Sequence, residues 1–287
     1  MTTARLLAWV LWALLLWPAT GAWAQESEPM ARAWEQAGGQ ERIVSFISAV
    51  TVESDGDLDV TETIRLISLQ QEIHHGIQRD FPTRYESRAG QQSSVGFTVI
   101  SVERDGHAEP WQKLSLANGV RIRIGSADAD LPPGEHTFVI RYRTSRQILY
   151  RESEDELYWN VTGTGWTFPI DMAEARITLP RTAPFGNRAV YTGPQGASGQ
   201  DAAVIEERPG FIAFRTTAPL DRKEGLTVAV AFPKGVLQEP GAARRASWWL
   251  EDWGALAAAV LASLGLAGFY LRTWWTVGRG PRPGTIV

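Results

Sequence analysis

The chain has 287 residues, a formal charge of −4 and no cysteine. The missing cysteine excludes a disulfide framework, a thiolate metal site and a cysteine nucleophile. The near-balanced charge offers no basic surface for nucleic acid, and repeated Val, Ile, Leu and Phe runs require a real hydrophobic core.

Residues 1–24 read as a secretory signal peptide. Arg5 supplies the positive end, Leu6 to Trp17 the apolar core, Pro18 and Gly21 a break, and Ala22-Trp23-Ala24 a small-x-small cleavage site, with cleavage expected before Gln25. Residues 25–40, QESEPMARAWEQAGGQ, have the polar, Gly-containing composition of a linker.

From Glu41 the apolar period becomes two. Val44, Phe46, Val50 and Val52 share one phase, Asp55-Gly56 turns the chain, and Leu58, Val60, Ile64 and Leu66 share the phase of a second strand. Further strands are expected around Val95–Glu103, Val120–Ile124, Thr137–Arg143, Leu157–Thr162, Ala175–Leu179, Ala189–Tyr191, Phe211–Thr216 and Leu226–Phe232. Asn118-Gly119 has the spacing of a two-residue hairpin turn with positive φ at both residues, and Asp105-Gly106 and Pro132-Pro133-Gly134 punctuate other joints. Many short strands at intervals of about ten residues, with no helical pattern between them, predict an all-β antiparallel sandwich, immunoglobulin-like, over residues 41–233.

Lys234–Ser247 carries Gly and Pro without periodicity, so residues 234–253 read as a tether. Gly254–Leu271, GALAAAVLASLGLAGFYL, then runs eighteen residues without a charge. At the rise of a helix this reaches about 27 Å, close to the hydrocarbon thickness of a bilayer. Trp253 and Trp274-Trp275 flank it at the two headgroup levels. A helix buried in a soluble core would keep a polar stripe, and none is present. Residues 272–287 form a basic tail with Arg272, Arg279 and Arg282 and no acid, which fits the cytoplasmic side of a bacterial plasma membrane and puts the β-domain outside. The abrupt end at Thr285-Ile286-Val287 leads us to expect a fragment of a longer membrane protein.

Four stretches in this order resemble one family: SDGDLDVTETIRL (Ser54–Leu66), HHGIQRDFP (His74–Pro82), ELYWNVTGTGW (Glu156–Trp166) and VGRGPRPGTIV (Val277–Val287). The chain is similar to predicted membrane proteins carrying domain of unknown function 2207 (DUF2207). The resemblance implies an exported β-domain, a membrane helix, a cytoplasmic segment and usually further membrane helices. In that family the motif after the span normally reads Gly-Arg-Asp-Pro, and here Gly280 stands where the acid would be. The family has no established activity, so the resemblance implies architecture and leaves the chemistry open.

Among single residues, Glu62 is the most informative. It falls in the inward phase of its strand, where an acid needs a partner such as Arg79 or Arg84. A rim salt bridge is the plainer reading, a functional carboxylate the sharper one. The stretch His74 to Pro82 reads as a loop rich in capable groups. His74 and His75 could bind a metal, Arg79 could clamp an anion, and Asp80 could orient either, or Arg79 and Asp80 could form a structural lock. The His pair lacks further ligands at recognisable spacing, so no metal is expected. Asp55, Asp57 and Asp59 lack the Gly and Glu that an EF-hand loop needs at its sixth and twelfth positions, where Val60 and Leu66 stand. Trp159 reads as core packing. No nucleophile elbow, phosphate loop or His-Glu-x-x-His is present.

These readings converge on a membrane-anchored, extracytoplasmic β-domain acting as a non-catalytic interaction module of the cell envelope. The bilayer and an envelope protein or cell-surface ligand are its expected partners, with no cofactor, no catalytic residue and no nucleic acid. The interaction candidates are Glu62, His74, His75, Arg79 and Asp80. One alternative is an envelope hydrolase or metal-dependent enzyme using the His74–Asp80 stretch. Another is a domain supporting a cytoplasmic or channel function.

Overall fold

Alternation of apolar and polar side chains dictates where strands form, and the computed structural model, which describes residues 34–35, 38–86 and 92–278, follows it. The signal peptide, residues 25–33 and 36–37 of the linker and the tail beyond residue 278 lie outside the described residues.

Strands β1 (Arg42–Val52) and β2 (Leu58–Ser68) form the expected hairpin, and Phe46, Val50, Val52, Leu58, Val60, Ile64 and Leu66 are all buried. Val44 departs from the expected phase. A bulge between Ile43 and Ser45 swaps the faces, so Ile43 enters the core and Val44 packs with Ile67 and Leu69 instead. The chain continues through β3 (Gly76–Pro82), β4 (Arg84–Glu86), β5 (Gln92–Ser94), β6 (Phe97–Arg104), β7 (His107–Ala108), β8 (Trp111–Leu116) and β9 (Gly119–Gly125). Next come β10 (Gly134–Thr144), β11 (Ile148–Tyr150), β12 (Glu154–Asn160) and β13 (Ala173–Thr178). The last strands are β14 (Arg188–Gly193), β15 (Ala202–Arg208), β16 (Phe211–Thr216) and β17 (Gly225–Pro233).

One layer is an eight-stranded sheet in the order β15-β16-β13-β1-β2-β10-β6-β7. Its neighbours are antiparallel except β1 and β13, which run parallel. The facing layer is divided into a four-stranded sheet, β11-β12-β17-β14, and a three-stranded sheet, β3-β9-β8, with β4 and β5 paired on their own. A single apolar cluster joins all three large sheets: Phe46, Ile64 and Phe138 from the first, Leu157, Val228 and Val230 from the second, Ile77, Ile122 and Ile124 from the third. The fold is thus the expected antiparallel β architecture, with one parallel pair among its named strands and a split second layer.

Two joints differ from the sequence reading. The stretch His74–Pro82 is not a loop, since Gly76–Pro82 is β3 with Ile77, Arg79 and Phe81 turned inward. An arginine at an inward position hides the period. The turn between β8 and β9 is Ala117-Asn118 rather than Asn118-Gly119, and none of these three residues has positive φ. Gly119 is needed for another reason: a Cβ there would stand 2.0 Å from the Phe81 carbonyl oxygen across the β3–β9 pair. By contrast, Asp105 (φ 52°) and Gly106 (φ 80°) do form a two-residue turn with positive φ, between β6 and β7.

Helix α1 runs Ala242–Thr273, with none of its side chains buried, and a π-helical turn follows at Trp274–Gly278. Residues 242–253, read above as tether, are therefore helical. No Gly or Pro interrupts them after Gly241, and their first turns lean on the β-domain. Asp252 accepts two bonds from the Arg146 guanidinium and one from the Ser94 N–H. Arg244 pairs with Asp55 and Asp57. The Trp248 ring is within reach of both guanidiniums, 5.1 Å from that of Arg146 and 5.2 Å from that of Arg244. The aspartates weighed as a calcium site thus carry protein cations, with Asp59 bound by Arg143.

Gly119→Ala is expected to destabilise the domain by about 1–3 kcal/mol, because backbone must move to admit the methyl group. Urea unfolding measures this, and an unchanged midpoint would show that β3 and β9 do not approach so closely. A second expectation concerns pH. Partial burial pushes the Asp105 carboxyl up, but the His136 ring, the Thr137 N–H and the Arg104 charge outweigh it, and the net shift is down. Asp105 therefore adds stability that is present above the ordinary carboxylate range near 4 and lost as pH falls through the lower folded value. Melting of wild type against Asp105→Asn should show a gap at neutral pH that closes below about pH 4. A gap that widens on acidification would contradict this.

Candidate functional site

The inward acid and the inward base meet. Glu62 on β2 and Arg79 on β3 face each other across the two layers, and the guanidinium grips the carboxylate in a fork, Nε to Oε2 and Nη2 to Oε1, both at 2.8 Å. Both side chains are buried, at 0% and 4% exposure, which corrects the expectation of a rim salt bridge. Tyr142 on β10 donates its hydroxyl to Glu62 Oε1 at 2.9 Å. Arg79 also donates to the carbonyls of Asp80 and Val161, and it lies over the rings of Phe81 and Phe46 at 4.5 and 5.4 Å. Burial works to lower the Arg79 pKa, yet the charge and hydrogen bonds of Glu62 overcome it and hold the guanidinium above its ordinary value. Burial, reinforced by the Glu62 charge, raises the Tyr142 hydroxyl well above its usual range, so it stays a donor.

The neighbouring candidates go elsewhere. Asp80 points to the outer face of β3 and pairs with Arg121 on β9, at 2.6 and 2.8 Å, so the expected Arg79–Asp80 lock does not form between side chains. His74 bonds the Gln71 carbonyl, and His75 bonds the Ala129 carbonyl and lies 3.2 Å from Asp130; both rings are exposed. Among the described residues no three His, Asp or Glu side chains gather as a metal-binding group. The loop before β3 has a different organiser, Glu41. Its buried carboxylate accepts the N–H groups of Leu69, Gln71, Glu72 and Ile73.

Between the two smaller sheets lies a cleft of about 1130 Å³. Strand β3 forms one wall and Arg79 lies at its floor, while the other wall is the outer face of the four-stranded sheet. There β12 and β14 flank β17, and they present Tyr158 and Tyr191, 53% and 37% exposed, with ring centroids 6.3 Å apart. Asn160 stands beside them, its Oδ1 accepting from the Gly163 N–H. Trp159, on the opposite face of β12, is core as expected and donates to Ser48. Reading the sequence missed Tyr142, Tyr158, Tyr191 and Arg121. Tyr142 was recoverable, since it continues the inward phase of Phe138 and Ile140. Arg121 was not, because Arg79 at an inward position hides the period of its partner strand β3.

With the geometry in place, the kinship is clear. Residues 42–232 match the model of the DUF2207 predicted membrane protein N-terminal domain. The chain belongs to this family. It is also 30% identical over 205 residues to the uncharacterized protein YciQ of Escherichia coli (strain K12). That match covers 71% of this chain and 32% of the relative, so the chain spans about a third of the relative's length. Helix α1, long, apolar and unburied, is a candidate membrane span, in keeping with the family's description as a predicted membrane protein. Among solved structures, native leukotriene A4 hydrolase from Saccharomyces cerevisiae is 14% identical at a TM-score of 0.44, covering 70% of this chain and 33% of that one. An M1 zinc metallopeptidase from Deinococcus radiodurans is 15% identical at a TM-score of 0.37, covering 66% and 42%. Likenesses at these values carry no argument about activity.

Removing one partner of the buried pair should be costly and removing both should not. Arg79→Met is expected to lose about 3–5 kcal/mol of stability, and Glu62→Met with Arg79→Met to recover most of it. Asp80→Asn breaks a half-exposed pair and should cost about 0.2–1 kcal/mol. Urea unfolding of the three variants checks this, and a single-variant cost as small as that of Asp80→Asn would remove Arg79 from its central place.

Proposed function

We propose that the chain is a membrane-anchored, extracytoplasmic β-domain that acts as a non-catalytic interaction module, receiving its partner in the cleft between β3 and the Tyr158–Tyr191 face. In this reading the domain lies outside a bacterial plasma membrane, the basic tail lies in the cytoplasm, and the partner is an envelope protein or a cell-surface ligand. The signal-like residues 1–24 and the Arg-rich segment after the span support the orientation.

The observation that carries the reading is the cleft. It is a large concave site with exposed aromatic rings and both neutral and charged polar groups, the kind of place where ligands bind. The groups that the enzymatic alternative requires are each engaged apart from one another: Glu62 with Arg79 and Tyr142, Asp80 with Arg121, and the two histidines with backbone carbonyls. A general base must share hydrogen-bond reach with the group it serves, and this set gives that alternative no support.

A photo-crosslinking residue placed at Tyr158 in the full chain, in bacterial membranes, tests the reading. A discrete adduct is expected at Tyr158 and not at Arg141, which faces out from the opposite sheet. Identical adducts at both positions, or none at either, would sink it.

A further inference from the structure

Every residue of β3, from Gly76 to Pro82, lines the cleft. The strand is an edge: it pairs with β9 and with no other. In an antiparallel ladder, residues alternate between pairs that exchange both backbone bonds and pairs that exchange none. The Thr83 N–H bonds the Asn118 carbonyl at 3.0 Å, Gly119 closes on the Phe81 carbonyl, and Gly76 closes on the Ile124 carbonyl. By that alternation Ile77, Arg79 and Phe81 bond β9, while the backbone groups of Gly76, Gln78 and Asp80 point away from it. The Asp80 carbonyl is taken by Arg79 Nη1. By the same alternation the N–H and carbonyl of Gln78 point away from β9, and Gln78 lines the cleft with its side chain exposed.

We infer that β3 is the docking edge for an extended polypeptide segment, which adds as a fourth strand to the β3-β9-β8 sheet. The inference rests on the interaction reading above and names the class of partner. Strand addition takes affinity from main-chain hydrogen bonds and specificity from alternate side chains. Here the free backbone groups supply the first, and the Tyr158–Tyr191 face across the cleft supplies a surface for the second. Of the other edges, β7 and β11 are two and three residues long and β15 carries Glu206, Glu207 and Arg208; β8 and β14 are edges of six residues each, but neither lines the cleft along its whole length as β3 does. The seven residues of β3 extend about 23 Å, a length that suits a short extended segment. Charge narrows the class. Arg84 and Lys223 line the cleft and donate to the carbonyls of Ala117 and Gly165, with no carboxylate partner among the described side chains. Glu72 lines the opposite end, by the entry to β3. An acidic segment fits, with its carboxylates toward Arg84 and Lys223.

The test uses the full chain in detergent micelles and a fluorescent octapeptide of alternating threonine and glutamate. A copy N-methylated at every second residue keeps charge and composition but loses the N–H groups of one edge. Saturable binding of the plain peptide is expected, with the methylated copy weaker by about tenfold or more. Gln78→Pro, which removes an N–H outside the ladder, should weaken binding by a similar factor, and Gln78→Ala should stay within about twofold. If Gln78→Pro lowers the melting midpoint, the two peptides on the wild-type chain decide alone. Equal binding of both peptides, or no saturable binding of either, overturns strand addition. Should a neutral hexasaccharide saturate the cleft while the peptides do not, strand addition falls and the interaction reading stands. Absence of any crosslinked partner at Tyr158 is the separate result that fells both.

Discussion

The Glu62–Arg79 ion pair is the constraint on which the rest of the domain depends. A split second layer has a weakness, because its two sheets share no ladder of backbone bonds. The guanidinium spans that break. It holds Glu62 of the eight-stranded sheet, sits on β3 of the three-stranded sheet, and reaches the Val161 carbonyl just beyond β12 of the four-stranded sheet. Taking two charges out of water is expensive, and only near-complete hydrogen bonding makes it tolerable. Both partners have that, through the fork, the Tyr142 hydroxyl and two carbonyls. Such a pair contributes little net stability beside an apolar replacement, but it penalises any arrangement that separates its halves. It therefore fixes the register of the layers, and with it the cleft between the smaller sheets.

At the membrane end, a second set of charges acts on orientation. A flexible tether would let the β-domain tumble above the bilayer. Instead Asp252 with Arg146, Arg244 with Asp55 and Asp57, and Trp248 against both guanidiniums join the first turns of α1 to the loops around Gly56 and Arg146. The same helix then presents Leu256, Leu261 and Phe269 with nothing packed over them. One helix thus joins the β-domain at one end and carries the candidate membrane span at the other.

Much of this was legible in the residues. The two-residue period gave β1, β2, β10, β12 and β17, with the inward sides of β1, β2 and β12, the uncharged run gave the span, and the acid at an inward position announced a cationic partner. The failures share a cause. Arg79 broke the apolar period of β3, so the strand passed for a loop and its partner Arg121 went unseen. The bulge at Ile43–Ser45 and the true turn at Ala117-Asn118 depend on backbone shifts of one residue, which composition does not record. The tether was misjudged at its C-terminal half, where helix formers follow Gly241 without a visible apolar stripe.

By itself the sequence determined the class of the domain, its attachment to a membrane and its family, because these rest on local periodicity, length and ordered motifs. Tertiary structure alone decided which base answers Glu62, that Asp80 and the histidines are directed elsewhere, and that two smaller sheets leave a cleft beside a free strand edge. Those outcomes join residues far apart in the chain, such as Glu62 with Tyr142 and β3 with Val161. Their pairing follows from how the sheets are stacked, which no local pattern encodes.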